Sequence, residues 1–459
     1  MINRFLNRAA LVLLGSLFVV FPWFHGLDLK WEQVLAAACI SIFFALSILS
    51  SSFHFKGSIR YVLIMFAAWL LYAALYLIPL PATVTDFLSP HMSHWYTLNG
   101  QENEVRLSVY YQASLIEWIK FLGIALLLPS VWLLCHSEER LHKLIIILVT
   151  GCTITALYSL LNFFSGGQFE LVGNIPPWDL KWQDGIRGTF SYKNQYALYI
   201  AFGIALSAGV LADNIRSRRN RMVTVTLILT LIVLTLTLIN TSSRGVIVAL
   251  AGGSGLAGAM FLLRHKSLVK EWLSVKRIAA GAVMLLAAAV LFMQSSVYDR
   301  FAHQKMADNG RMHLRNTAIS VISDHPVTGT GPGTYPYIQH VYKPMALGIS
   351  KMSKRAHNDY LETMATTGIV GFLILAMPLG YMLWRIFRPV DCAFNGLLTG
   401  CRAAIATYLI QAAYDTNAGI YFLPLLFITV LTAAFVLCEK FAVPGSGIKA
   451  DQCSNDRNS

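Results

Sequence analysis

Charged residues are scarce in this chain. Asp, Glu, Lys and Arg make up 13% of its 459 residues, whereas 56% are hydrophobic, and soluble domains are usually about one quarter charged. That balance excludes an ordinary soluble protein and indicates an integral membrane protein.

Metal and disulfide signatures are also missing. The seven cysteines are scattered, mostly inside apolar runs, and no pair has CxxC spacing, so neither a disulfide framework nor a zinc site is predicted. The sequence contains no DxD and no HExxH motif, so a metal-dependent reaction lacks its usual ligands. No metal and no other cofactor is predicted.

Long apolar runs, by contrast, recur along the chain. About 20 apolar residues in a helix cross a hydrocarbon core of about 30 Å. The predicted spans are 9–24, 33–50, 61–80, 115–134, 144–164, 196–211, 223–239, 245–263, 278–293, 360–386, 397–413 and 420–438. Arg4 and Arg8 precede the first span, but no small-residue cleavage site follows it, so we expect a retained helix rather than a removable signal. The predicted fold is an all-α polytopic membrane protein with about twelve transmembrane helices.

Basic residues are distributed unevenly among the predicted loops. With a cytoplasmic N-terminus, the inner loops carry the excess of Lys and Arg, and the formal net charge of +13 lies on the inner side. Both termini are then cytoplasmic, and in a bacterium the outer face is the periplasm. The basic runs 216–221 and 264–266 are interpreted as topology signals and contacts to anionic membrane lipids, not as nucleic-acid sites.

The outer segments hold most of the remaining polar residues. The predicted organisation is nine transmembrane helices in residues 1–294, a periplasmic loop in 295–359, three transmembrane helices in 360–438 and a polar cytoplasmic tail in 439–459. A loop of some sixty residues is expected to contain internal structure.

Two elements are predicted inside that loop. Residues 311–323 form an amphipathic helix with Arg311 and Arg315 one turn apart on its polar side. Its predicted apolar side consists of Met312, Leu314, Ala318, Ile319, Val321 and Ile322. The glycines and proline of 325–333 predict turns.

Residues 354–362, Lys-Arg-Ala-His-Asn-Asp-Tyr-Leu-Glu, are the most unusual segment because they run straight into an apolar helix. Ionisable side chains at the mouth of a membrane span are costly to desolvate. The segment is therefore predicted to be a functional site.

These landmarks occur in a specific order. They are Arg187-Gly188-Thr189-Phe190 with Asn194, then Ser242-Ser243-Arg244-Gly245, Gly310-Arg311, the turn 329–333, and His357-Asn358-Asp359-Tyr360-Leu361-Glu362 followed by Gly368-Ile369-Val370-Gly371. Together they resemble the O-antigen ligase and polymerase family (WaaL/Wzy type), the lipid-linked-glycan transferases of bacterial envelopes. The resemblance covers about residues 185–424 and implies a GT-C-like membrane fold.

The resemblance implies a glycosyl transfer that uses neither metal nor nucleotide sugar. A glycan on undecaprenyl diphosphate is passed to a hydroxyl acceptor, and the lipid diphosphate leaves. An O-antigen ligase would use lipid A-core as the acceptor, a polymerase another lipid-linked repeat unit, and a protein O-oligosaccharyltransferase a Ser or Thr. The acceptor stays open at this point.

Fixed cations suit such a reaction independently of the resemblance. A departing diphosphate gains negative charge, and guanidinium groups bind its oxygens with paired hydrogen bonds at any physiological pH. The candidate ligands are Arg187, Arg244 and Arg311, with Arg315 in second rank.

Histidine is the side chain most often suited to take a proton from an attacking hydroxyl. His357 is the predicted base or acceptor-orienting residue, and Asp415 is predicted to orient it or to position the acceptor. Nothing in the sequence shows that these two residues meet.

Simpler interpretations apply to neighbouring residues. Glu362 fits an ion-pair partner as well as an acid catalyst, and Asp359 fits a cap of the following helix. The glycines of 329–333 fit backbone turns better than a phosphate cradle. The aromatic residues Trp95, Tyr96, Trp178 and Trp182 fit sugar stacking and an interfacial belt about equally well.

A transporter or lipid flippase would also be hydrophobic with charged residues facing a cavity. Here the charges cluster at one face rather than near the bilayer midplane, and no paired broken helices are evident. A transferase is therefore favoured.

Overall fold

The computed structural model is helical throughout the part of the chain that it describes, which comprises residues 2–50, 55, 57–98, 105–171, 185–217, 220–265, 309–343 and 353–443. Within these ranges the chain forms fifteen α-helices, two short 3-10 helices and no β-strand. The helices are α1 (Ile2–Val19), α2 (Lys30–Leu49), α3 (Ser58–Ala74), α4 (Ala82–Leu88), α5 (Pro90–Leu98), α6 (Tyr111–Leu134), α7 (Glu138–Phe164), α8 (Lys193–Ser217), α9 (Arg221–Asn240), α10 (Arg244–Arg264), α11 (Asn309–Asp324), α12 (Tyr335–Tyr342), α13 (Asp359–Phe387), α14 (Asn395–Ala412) and α15 (Phe422–Lys440).

Ten helices in the described ranges are long and apolar enough to cross a membrane, namely α1, α2, α3, α6, α7, α8, α9, α10, α13 and α15. Each coincides with a predicted span, so the multi-pass, all-helical class is confirmed. The predicted span 397–413 forms α14, a more polar helix that carries Arg402 and Gln411. The predicted span 278–293 lies outside the described residues, as do 295–308, 344–352 and most of the tail, so the count of twelve stays a prediction.

Helices α14 and α15 form the centre of the bundle. About 89% of the apolar stretch of α15 is buried, and α14 packs against both α8 and α10. A Cβ at Gly209 of α8 would lie 2.7 Å from the carbonyl oxygen of Gly396, and one at Gly253 of α10 equally close to that of Ala403. Small residues let the helix backbones approach closely, and these contacts hold the first half of α14 against α8 and α10.

Helix α13 is broken at Gly368. Its φ of 68° and ψ of 175° are not helical, and a Cβ there would collide with the carbonyl oxygen of Val327. Only glycine tolerates both the backbone conformation and the close contact. The first nine residues of α13 are thereby separated from its long apolar part.

The carbonyl groups freed by this break have donors. Thr330 N–H donates to Ala365 at 3.1 Å, Gly331 N–H to Thr366 at 2.8 Å and the Tyr72 hydroxyl to Thr367 at 2.8 Å. The predicted turn 325–333 is therefore confirmed. Its positive-φ glycines serve to pack the turn against α13.

Helices α4, α5, α11 and α12 form a layer that we call the cap. Ala318 and Val321 of α11 pack with Tyr335 and Ile338 of α12 in a small core of their own. The predicted helix 311–323 is confirmed as α11, but its predicted apolar face is partly wrong. Met312 is 54% exposed and Ile319 49% exposed, because the buried stripe passes through Thr317, Ala318 and Val321 instead.

Candidate functional site

The site begins where the chain enters α13. Asn358 is the N-cap, and its Oδ1 accepts a hydrogen bond from Leu361 N–H at 3.0 Å, as asparagine does at helix starts. Its Nδ2 donates to the carbonyl oxygen of Ala413 at 2.8 Å. The cap is therefore Asn358 and not Asp359, and it ties the start of α13 to the segment 413–421 between α14 and α15.

His357 has a left-handed backbone with φ of 51°. A non-glycine residue in this region stores local strain, and such residues concentrate at functional sites. The imidazole Nδ1 lies 3.0 Å from Oδ1 of Asp415. Because a carboxylate only accepts hydrogen bonds, Nδ1 carries the proton. In the neutral form of such a ring, Nε2 is the nitrogen that accepts a proton.

Asp415 is almost completely enclosed, with its side chain 3% exposed, whereas that of His357 is 31% exposed. Oδ2 of Asp415 accepts a hydrogen bond from Asn194 Nδ2 at 2.7 Å, and Oδ1 accepts from Thr416 N–H at 2.9 Å. Burial acts to raise the pKa of Asp415, but the hydrogen bond to His357 and the charge of Arg311 outweigh burial and hold that pKa below its ordinary value. The carboxyl group is therefore ionised at neutral pH.

Arg311 projects from α11 toward the same carboxylate. Its Nη2 is 3.5 Å from Oδ2 of Asp415, and its Nη1 donates to the carbonyl oxygen of Tyr414 at 3.2 Å. The guanidinium is 31% exposed, so part of it faces outward from the pair. Arg315 lies one turn further along α11 and, within the described ranges, makes no hydrogen bond or ion pair with His357 or Asp415.

Asn194, at the start of α8, connects the site to α10. Its Oδ1 accepts a hydrogen bond from Ser243 Oγ at 2.9 Å, and Ser243 directly precedes Arg244, the first residue of α10. The hydroxyl of Tyr414 donates to the carbonyl oxygen of Gly245 at 2.5 Å. Arg244 thus lies, half-buried, at the edge of the cluster.

Arg187 occupies a different place. Its Nη2 is 3.2 Å from Oε1 of Glu170, and both side chains are 12% exposed. Nη2 nevertheless makes no well-aligned hydrogen bond, so we take this contact as an ion pair only. Nη1 donates to the carbonyl oxygen of Phe190 at 3.4 Å. Among the described residues Arg187 has no direct contact with His357, Asp415 or Arg311.

Arg187 and Glu170 line a small open cavity together with Tyr158 and Asn162. Asn162 Nδ2 donates to Oε2 of Glu170 at 2.8 Å. The structure therefore brings His357, Asp415 and Arg311 together, with Arg244 beside them. It places Arg187 in a separate cavity and Arg315 outside the direct contacts.

Two further residues of the segment 354–362 have defined partners. Oε1 of Glu362 is 2.8 Å from Nη1 of Arg355, which agrees with the interpretation of Glu362 as an ion-pair partner. Oδ2 of Asp359 accepts hydrogen bonds from the N–H groups of Asn417 and Ala418 at 2.9 and 3.2 Å. Both carboxylates therefore fix the backbone around the His357–Asp415 pair.

The described aromatic residues are packed within the cap. The ring of Trp95 lies 5.2 Å from that of His325, and the Tyr96 hydroxyl donates to the carbonyl oxygen of Ser108 at 3.0 Å. Trp178 and Trp182 lie outside the described residues. In the described ranges no group of three or more His, Cys, Asp or Glu side chains is arranged to hold a metal ion.

Sequence reasoning missed the roles of Asn194 and Arg355. Asn194 was part of the matching landmarks but not of the predicted site, and its amide signals nothing by itself. Arg355 was recognised only as one charge in the segment 354–362. In both cases the missing information is a contact between distant parts of the chain.

The fold and this cluster define a multi-pass helical membrane protein with a histidine–aspartate–arginine site where the ends of α8, α10, α13 and α14 meet. Residues 229–376 match the protein-family model described as Wzy_C, O-Antigen ligase. The match includes Arg244, Arg311 and His357, and it confirms the resemblance to the O-antigen ligase and polymerase superfamily. It also supports an enzyme. No curated protein matches the chain.

Proposed function

We propose that the protein is an O-antigen ligase. It transfers polysaccharide from undecaprenyl diphosphate to lipid A-core oligosaccharide at the periplasmic face of a bacterial inner membrane, with both termini in the cytoplasm. The observation that carries the proposal is that His357 and Arg311 both contact the buried carboxylate of Asp415. Residues 229–376 of the same chain match the O-antigen ligase model.

His357 acts as the general base. Its Nδ1 proton is held by Asp415, which leaves Nε2 to take the proton of the acceptor hydroxyl. The acceptor oxygen forms a bond to the anomeric carbon while the bond from that carbon to the diphosphate oxygen breaks. The diphosphate leaves with the electron pair, and Asp415 stabilises the imidazolium that results.

Arginine side chains stabilise the leaving group. Arg311 lies directly at the pair, and Arg244 lies beside Ser243 at the edge of the same cluster. A guanidinium binds phosphate oxygens in a planar, bidentate arrangement and stays charged. Arg187 and Arg315 bind other oxygens of the diphosphate of the same donor. No resident metal ion is needed in this scheme.

Gel analysis of lipopolysaccharide tests the proposal. A strain lacking the gene is complemented with wild type, with His357→Ala, or with His340→Ala, whose histidine is exposed on α12 and serves as the control. We expect wild type and the control to restore full-length O-antigen on lipid A-core. We expect His357→Ala to leave the core bare while long polymer accumulates on the lipid carrier.

The same gels distinguish the related functions. A core that carries a single repeat unit in the deletion strain indicates a polymerase instead of a ligase. A normal lipopolysaccharide but unglycosylated proteins indicate a protein O-oligosaccharyltransferase. A normal ladder from His357→Ala contradicts the role of the histidine, and accumulation of the donor on the cytoplasmic side points to a transporter.

A further inference from the structure

We propose that Glu362 is a positioning residue that holds His357 in its left-handed conformation and so aligns Nδ1 with Asp415. This inference rests on the proposed function, because it assigns a role relative to the base of that reaction. Glu362 itself need not contact donor or acceptor.

Both oxygens of Glu362 are engaged next to His357. Oε2 accepts a hydrogen bond from the N–H of Ala356 at 2.8 Å, and Oε1 accepts one from Nη1 of Arg355 at 2.8 Å. The carboxylate thus binds the two residues that directly precede the histidine. With its side chain 12% exposed and both oxygens occupied, Glu362 is poorly placed to exchange protons with a substrate.

Glu362 is also linked, through Arg355, to the segment 413–421 that contains Asp415. Nη2 of Arg355 donates to the carbonyl oxygen of Gly419 at 3.2 Å. Glu362, through Arg355, therefore connects the backbone before His357 to the segment 413–421. The two members of the His357–Asp415 pair are 58 positions apart in the chain. The contact through Arg355 links the two segments that contain them.

The charge of Arg355 is secured by several acids. Burial acts against the charged form, but the carboxylates of Glu362, Glu117 and Asp28 outweigh burial and raise the pKa of the guanidinium above its ordinary value. Glu117 belongs to α6, and Asp28 precedes α2. Arg355 is therefore a fixed cation within the protein rather than a free ligand for phosphate.

The backbone that follows His357 is held by contacts that do not involve Glu362. Asn358 donates to the carbonyl oxygen of Ala413, and Asp359 accepts from Asn417 and Ala418. Removing the Glu362 charge therefore leaves α13 attached to the segment 413–421. What it releases is the backbone immediately before His357, the residue whose φ is positive.

Steady-state kinetics of the purified enzyme, with lipid-linked polysaccharide as donor and rough lipopolysaccharide as acceptor, test the inference. Glu362→Gln keeps the size of the side chain and removes its charge. We expect kcat to fall about 10- to 100-fold, less than the roughly 10²- to 10⁴-fold contribution of the positioned base itself, while KM for the donor changes by less than about 2-fold.

Two further variants separate positioning from general destabilisation. Asp324→Asn removes an acid of the cap that bonds to Tyr342, and it should leave both kcat and KM for the donor unchanged. In an Asp415→Asn background, Glu362→Gln should cause much less additional loss than it does alone, because residues that act through one contact are not additive.

Clear outcomes overturn the inference. Wild-type kcat per folded enzyme in Glu362→Gln would show that the ion pair is only structural. Full additivity with Asp415→Asn would show the same. If His357→Ala itself retains transfer, the role of the histidine as base fails and the positioning role fails with it; if His357→Ala is inactive while Glu362→Gln is normal, only the positioning role fails.

Discussion

Asn194 donates a 2.7 Å hydrogen bond to Oδ2 of Asp415 and accepts a 2.9 Å hydrogen bond from Ser243. One amide therefore connects the start of α8, the start of α10 and the segment after α14. Since Asn194 engages Oδ2, the other oxygen, Oδ1, is directed at His357. The geometry of the pair thus depends on three helix ends at once.

Asp415→Asn should reduce transfer strongly. The amide removes the carboxylate that holds the imidazole and stabilises its charged form, so we expect kcat to fall by roughly 10² to 10⁴, the contribution of a positioned acid–base group. KM for the donor should change little. Kinetics of the purified variant measure the effect, with Asp324→Asn as the control, and a loss confined to KM would contradict it.

The pH dependence of the pair has a defined sign. Because the pKa of Asp415 is lowered in the folded protein, its contribution to stability is present above the unfolded carboxyl pKa and is lost as the pH falls through the lower folded value. Between about pH 5 and 8 any change of activity should therefore come from a group other than Asp415. An Asp415-dependent inflection at neutral pH would be inconsistent with this assignment.

Arg311→Lys should impair the reaction although charge is kept. Lysine cannot reproduce the planar fork, and Arg311 also bonds to the carbonyl oxygen of Tyr414. We expect kcat/KM for the donor to fall about 10-fold, equivalent to about 1.4 kcal/mol. Arg221→Lys, at an exposed position at the start of α9, is the matched control. Undiminished transfer by Arg311→Lys argues against bidentate phosphate binding there.

Glu170→Gln should tighten donor binding. Glu170 is the carboxylate paired with Arg187 in the open cavity, and a phosphate that binds Arg187 must replace it. Without the competing charge, we expect KM for the donor to fall about 3- to 10-fold, or roughly 1 kcal/mol. Arg187→Lys should have the opposite effect.

A second ion pair of a glutamate, on the exposed surface of α7, supplies the control for this prediction. Glu139 on α7 pairs with Lys143, and their side chains are 72% and 47% exposed. Glu139→Gln should leave KM unchanged. If Glu170→Gln raises KM instead, Glu170 supports the cavity rather than competing with the donor.

His325→Gln should make the cap less sensitive to acid. Burial, followed by the charge of His91, lowers the pKa of His325 to about 4, while Asp324 acts in the opposite direction. The unfolded chain binds the proton near pH 6.5, so the folded state loses stability as the pH falls from about 6.5 to 4, by at most about 3 kcal/mol. The glutamine variant should lack that dependence.

Thermal unfolding at pH 7.5 and 5 measures this difference. The drop in Tm between the two values should be smaller for His325→Gln than for wild type. His340→Gln, at an exposed position, should behave as wild type. Equal drops in all three proteins would show that the acid sensitivity arises elsewhere.

The helices could be predicted because each depends on a local property. The apolar run 360–386 corresponds to α13, Asp359–Phe387, and the glycines of 325–333 require the turn that the structure contains. Lipid imposes the first outcome, because a helix satisfies the backbone hydrogen bonds of a single apolar segment internally. The break at Gly368 was not predicted, because the donors that make it possible come from α3 and from the turn.

The site was predictable in its residue types but not in its contacts. His357, Asp415 and Arg311 were chosen for their chemistry, and the structure shows that they meet. Arg187 was chosen on the same grounds, yet it pairs with Glu170 and has no described contact with the other three. Sequence spacing contains no information about which of these distant groups share a neighbour.

The break at Gly368 has a mechanical consequence. Membrane helices adjust to bilayers of different thickness by tilting. We expect α13 to tilt only beyond Gly368, because the nine residues before that glycine are bonded to the turn 325–333 and to Tyr72. The distance between His357, which directly precedes α13, and Asp415 should then change little with the thickness of the surrounding lipid.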